Sequence, residues 1–85
     1  MMDDQIERRV RESFAKQTMM QTLGAEIFDV QHGLVRVRAP VLPGAMQQQG
    51  FGHAGLTFSI GDSAAGYAAL SVLPPEVDVV TSEIK

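Results

Sequence analysis

Between Arg38 and Glu76 the only side chain with a formal charge is Asp62. It lies within Leu56-Thr57-Phe58-Ser59-Ile60-Gly61-Asp62-Ser63-Ala64-Ala65-Gly66-Tyr67, which otherwise reads as a buried helix. Removing a lone carboxylate from water costs several kcal/mol unless it is paired or hydrogen-bonded, so a core helix ordinarily carries Leu or Ala there. The bland reading is a carboxylate at a wet helix edge, capping a neighbouring strand. A functional carboxylate is the reading placed ahead of it, because such groups concentrate at sites.

A second chemical feature is the start of the same helix. Its first N–H groups, at Ala54, Gly55 and Leu56, have no intrahelical acceptors and lie at the positive end of the helix dipole, where they suit a carbonyl oxygen becoming an oxyanion. Gly52, Ala54 and Gly55 leave that approach open. Any helix start offers as much, and the glycines also suit close packing. Nine residues separate His53 from Asp62, so at about 100° per residue they point to opposite sides of the helix, roughly 13 Å apart. If both serve one substrate, the carboxylate comes from a second subunit. For His53, a cap or a bond to a loop carbonyl is favoured over a general base.

The elements that must position these groups are few. A helix is expected from Asp4, with Glu7 completing a capping box, through Phe14 with a break before Met19; Gly24 supplies a left-handed stop. Ala25–Gln31 and Leu34–Ala39 read as an antiparallel hairpin around His32-Gly33, with Val35, Val37 and Ala39 alternating against Leu34, Arg36 and Arg38. Pro40, Pro43 and Gly44 end it, and an uncharged loop carries Gln47, Gln48 and Gln49. The central helix is expected over Ala54–Val72, wrapped on nearly every side, with Pro74-Pro75 stopping it. Val77–Lys85 reads as a strand. Three strand candidates are few to surround a helix, so the expectation is one partial domain, residues 1–85, from a longer chain.

Composition narrows the classes. Eighty-five residues allow one domain with a thin core, which favours association. The net charge of −3 argues against nucleic acid. Arg8, Arg9, Arg11 and Lys16 are read as the solvated side of a helix whose apolar stripe is Ile6, Val10 and Phe14. His32 and His53 lack metal-ligand spacing, so no metal is expected, and His32 is read as a turn residue. There is no phosphate loop, dinucleotide fingerprint or internal repeat. The acidic opening Met1-Met2-Asp3-Asp4 lacks a signal's basic and apolar regions, and the absence of cysteine fits a reducing compartment. A cytoplasmic location is the expectation. Phe51–Leu73 is rejected as a membrane span because Asp62 alone would cost about 2.5–3.5 kcal/mol at a bilayer centre.

Gln47-Gln48-Gln49-Gly50-Phe51-Gly52-His53-Ala54-Gly55, followed by Asp62-Ser63-Ala64-Ala65-Gly66-Tyr67-Ala68-Ala69, resembles the hotdog-fold acyl-CoA thioesterases of the phenylacetate-degradation (PaaI-like) type. In that family a His-Gly-Gly turn opens the central helix and an Asp follows the His by nine residues, as here. Met20-Leu23-Gly24-Ala25, the hairpin and Val80-Thr81-Ser82-Glu83-Ile84-Lys85 fall in the family's order, so the resemblance covers about residues 13–85. It implies an α+β hotdog fold, an antiparallel sheet wrapped around a central helix, with the remaining strands and many coenzyme A contacts after Lys85.

The resemblance also implies roles. Asp62 would be general base or nucleophile toward the thioester carbonyl, Ala54 N–H would polarise its oxygen, and Gly55 would assist the turn. Thr81 would orient water or the carboxylate, while Gln47 and His53 would lie near the substrate. Alanine at 54 departs from the family's glycine but keeps the N–H. The implied activity is hydrolysis of acyl-CoA thioesters without metal or cofactor, coenzyme A thioester being the substrate, in a homodimer that pairs again into a homotetramer. Two alternatives are a hotdog dehydratase or hydratase, whose His-Phe-Pro type of motif is not seen around His53, and a non-catalytic acyl-binding module.

Overall fold

The computed structural model describes residues 4–84. The acidic opening 1–3, including any cap preceding Asp4, and the final Lys85 lie outside the described residues. The element order is α1 (Asp4–Ala15), α2 (Thr18–Thr22), β1 (Glu26–Gln31), β2 (Leu34–Arg38), a 3-10 turn (Pro43–Ala45) and α3 (Ala54–Leu70). The helix break falls at Lys16-Gln17. The stop after α2 is a left-handed one: Gly24 has φ +69°, its N–H donates to Gln21 O, and Ala25 N–H donates to Met20 O, which satisfies two terminal carbonyls.

β1 and β2 form a two-stranded antiparallel sheet around His32-Gly33, with Gly33 at φ +79°. The register slips between Ile27 and Asp29, which leaves Phe28 as an extra, bulged residue. Strict alternation from Ile27 would turn Asp29 inward. The bulge lets Ile27 and Val30 both face the core, while Phe28 stays outside beneath the Arg38 guanidinium, 4.9 Å from the ring centroid. Cross-strand pairs Arg38–Glu26 (2.6 Å) and Arg36–Asp29 (3.2 Å) hold the wet face in this register.

Val30 and Val35 from the hairpin, Val10 from α1, and Tyr67 and Leu70 from α3 make the buried cluster, with Phe14, Ile27, Val37, Ala68 and Val79 packed against it. The four-residue spacing of Ile6, Val10 and Phe14 therefore does face inward at Val10, which has no exposed surface. Two of the neighbouring cations do more than solvate a face. Arg9 donates to Pro74 O (3.3 Å) and Val77 O (2.6 Å), and Arg11 donates to Ile27 O (3.3 Å) as well as pairing with Glu7.

Three expectations are corrected. α3 ends at Leu70 with Ser71 as its C-cap, short of Val72, because Val72 and Leu73 N–H turn to acceptors three residues back, Ala69 O and Leu70 O, while the Ser71 hydroxyl donates to Ala68 O and accepts from Gly33 N. The helix is not wrapped on every side: Ala54, Thr57, Phe58, Gly61, Ala65 and Ala69 are exposed, since a two-stranded hairpin and α1 cover only one face. Residues 77–84 form no strand. Their β-branched side chains favour a ladder, but among the described residues the sheet consists of β1 and β2 alone, and Arg9 and Val79 anchor this segment instead. No helix among the described residues is long and apolar enough to cross a membrane.

Val10→Ala should lower stability by roughly 2 kcal/mol through lost burial and a residual cavity, whereas Arg8→Ala on the exposed side of α1 should change it by less than about 0.5 kcal/mol. Urea unfolding of the two variants checks the difference.

Candidate active site

The start of α3 is built by the loop before it. The 3-10 turn buries Ala45, whose carbonyl accepts from His53 N–H at 2.9 Å, and a bridge between Met46 and Gly52 closes the intervening residues into a small loop. Gln47 organises that loop: its side-chain oxygen accepts from Gln49 N–H (2.5 Å) and Phe51 N–H (3.3 Å), and its own N–H donates to Phe51 O. Gln47, expected near a substrate, therefore has its amide oxygen committed to the loop's backbone.

His53 is the N-cap, and its ring Nδ1 accepts from Gly55 N–H at 2.7 Å. A Cβ at position 55 would lie 2.9 Å from that Nδ1, so the close approach of ring to backbone requires glycine. An accepting Nδ1 in a neutral imidazole leaves the proton on Nε2. In this arrangement His53 is a hydrogen-bond donor at its outer nitrogen, not a base. Gly55 N–H, expected at the turn beside an oxyanion, is occupied by the cap, and Leu56 N–H donates to His53 O at 3.0 Å. Ala54 N–H alone of these three has no acceptor among the hydrogen bonds of the described residues. No described non-glycine residue has positive φ, so alanine at 54 sits without backbone strain.

Asp62 lies two turns along α3, half-buried at the helix edge rather than enclosed. Its Oδ1 accepts from Thr81 Oγ1 at 2.7 Å. Thr81 comes from the irregular segment after the helix, so tertiary packing joins two sequence candidates 19 residues apart. Beside them is a cavity of about 260 Å³ lined also by Ser13, Gln17, Ser63, Gly66, Tyr67 and Asp78. Within one chain the two halves stay apart. Ala54 and Asp62 are eight residues apart on one continuous helix, roughly 12 Å along its axis, and none of the residues lining the cavity comes from the loop or the first turn of α3.

Sequence reasoning did not find the polar wall of this cavity. Tyr67 OH accepts from Gln17 Nε2 (2.8 Å) and shares a hydrogen bond with Ser13 Oγ (3.0 Å), while Ser63 Oγ donates to Gln17 Oε1 (3.0 Å). The four-residue spacing of Ser59, Ser63 and Tyr67, a polar line on an apolar helix, was the available signal. Gln17 offers none, because it falls between Phe14 and Met19, where the helix is expected to break. No metal-holding group of three or more His, Cys, Asp or Glu occurs among the described residues.

No protein-family model matches the chain, and no curated protein matches it. Among solved structures, the chain is similar to a thioesterase family protein from Silicibacter pomeroyi, known from a crystal structure, with 44% sequence identity and a TM-score of 0.88. The match covers 92% of this chain and 57% of that one. The chain thus spans little more than half the length of that protein. Its architecture, a central α-helix packed on a short antiparallel sheet, is that of a hotdog fold.

The His53 cap should be separable from imidazole chemistry. His53→Asn, which keeps a capping acceptor, should retain the stability that His53→Leu loses, about 1 kcal/mol. Thermal unfolding of both variants measures this.

Proposed function

We propose that this chain is part of a hydrolase of the thioesterase class, acting on acyl-CoA thioesters. The observation that carries the reading is the pairing of Asp62, steadied by the Thr81 hydroxyl at the mouth of a cavity, with an Ala54 N–H left without an acceptor while its neighbours are occupied. The similarity to a thioesterase family protein supports it. In this reading Ala54 N–H holds the thioester oxygen as negative charge develops. Asp62 takes the proton of an attacking water, or attacks the carbonyl itself to form a mixed anhydride that water then opens; the C–S bond breaks, the acyl group leaves as the free acid, and the coenzyme A thiolate takes up the proton that the water gave. Thr81 orients the carboxylate. His53 Nε2–H is a donor toward the substrate, and Gly55 makes room for that ring. A His53 already accepting at Nδ1 is poorly suited to the proton abstraction that a dehydratase requires.

The roughly 12 Å between Ala54 and Asp62 on one helix favours a site shared between two subunits, Asp62 of one facing the helix start of the other. The exposed face of α3, which includes Phe58 at 52% exposure, suits such a neighbour. A homodimer, pairing again into a tetramer, is the assembly in this reading. The 85 residues form a single partial hotdog domain of the phenylacetate-degradation type, and the cytoplasm is its compartment.

Asp62→Asn should reduce coenzyme A release by at least about 100-fold with fold and assembly unchanged. Near wild-type turnover would return Asp62 to a structural role. Ala54→Gly should be tolerated and Ala54→Pro should not, because proline removes the N–H.

Sharing is testable by mixing Asp62→Asn and Ala54→Pro subunits, each inactive alone. One of the two sites in a mixed dimer receives both intact groups, so part of the activity should return. Persistent inactivity in verified mixed dimers would favour a site within one chain.

A further inference from the structure

The cavity beside Asp62 has a wall unsuited to a plain hydrocarbon chain. Apart from Leu70, Val79 and Gly66, the residues lining it are polar. The network in its wall begins with the helix break. Gln17 has extended backbone (φ −80°, ψ 99°) and caps α2 without a side-chain bond to it. Its amide instead turns toward α3, donating to Tyr67 OH and accepting from Ser63 Oγ. A continuous α1–α2 helix would not leave Gln17 in this extended conformation. Tyr67 is 6% exposed and its ring packs edge-on against Phe14 with centroids 6.0 Å apart, so the phenol cannot swing away. Its hydroxyl and that of Ser13 share one hydrogen bond, in which either is the donor. That leaves one hydroxyl proton of the pair free to turn to a group in the cavity.

Two carboxylates also line the cavity, Asp62 and Asp78. An acyl group ending in a carboxylate would meet both with like charge, while a neutral acceptor would not. An apolar chain would displace water from these hydroxyls without replacing its hydrogen bonds.

We propose that Gln17, acting through Tyr67 and Ser63, is a specificity-determining residue that makes this cavity a subsite for a short acyl chain bearing a neutral hydrogen-bonding group, such as a ketone or hydroxyl. This rests on the thioesterase reading. Gln17 positions the wall, and the Ser13–Tyr67 hydroxyl pair meets the acyl group.

Three acyl-CoAs of nearly equal size test it with the full chain: pentanoyl-CoA, 4-oxopentanoyl-CoA and succinyl-CoA. The expected order of kcat/KM places 4-oxopentanoyl at least about tenfold above pentanoyl, since a site built to hydrogen-bond its substrate rejects the analogue lacking the group. Succinyl should be lowest. Gln17→Leu and, separately, Tyr67→Phe should bring the ketone-to-alkyl ratio to near one. A wild-type ratio near one overturns the proposal. So does an equal loss on both substrates in folded variants, which assigns the network to structure alone. Dissociation constants of non-hydrolysable thioether analogues of the same three ligands, measured on wild type and both variants, keep the question apart from catalysis. If no thioester is hydrolysed, the thioesterase reading fails. A tenfold binding preference abolished by Gln17→Leu would still uphold the subsite, and its absence would overturn it.

Discussion

Tyr67 is the side chain on which both the core and the cavity depend. Its ring is in the cluster with Val10, Val30, Val35 and Leu70, while its hydroxyl emerges among Gln17 and Ser13 beside Asp62. An aromatic ring with a polar tip can fill a thin apolar interior and still find hydrogen-bond partners at its edge. In a chain of 85 residues few side chains can be spared for one task alone. This contact ties the C-terminal half of α3, already seated on β2, to α1, and so helps to hold the stretch of helix that carries Asp62.

The hairpin and the tail play complementary parts. The hairpin's bulge at Phe28 puts Ile27 and Val30 on the same inner side and thereby gives α3 an apolar bed. The tail contributes one apolar anchor, Val79, and one polar one, Thr81, and Arg9 of α1 holds its start through carbonyl oxygens. A segment with few buried contacts is thus tied by Arg9 at its start and by Asp62 further along. The orientation of Asp62 depends on this tether, since its hydroxyl partner has no regular element behind it.

The helix start is fixed by local chemistry of a different kind. Glycine at 55 allows the His53 ring to sit against the backbone, and the Gln47 amide shapes the approach loop from within. These contacts span only a few residues, so this end of the site is close to self-contained. Of the first three N–H groups of α3 it leaves one, at Ala54, for a task outside the loop.

Several parts of this arrangement were legible in the sequence because their causes are local. The Gly24 stop, the His32-Gly33 turn and the inward Val10 and Val35 follow from periodicity and turn chemistry. Other features depended on partners distant along the chain. The bulge at Phe28 answers to packing across the hairpin, and the Gln17–Tyr67–Ser63 network joins residues 46 and 50 positions apart. The strand expected at 77–85 shows the same division, because β-branched residues express a preference that only a neighbouring strand can satisfy. Sequence by itself singled out candidate groups, Asp62 and the N–H groups that open α3, and the inward faces of α1 and β2. Tertiary structure alone decided which of these groups meet, setting Thr81 on Asp62 and Gln17 on Tyr67 and Ser63, because only packing brings together donors and acceptors far apart in the chain.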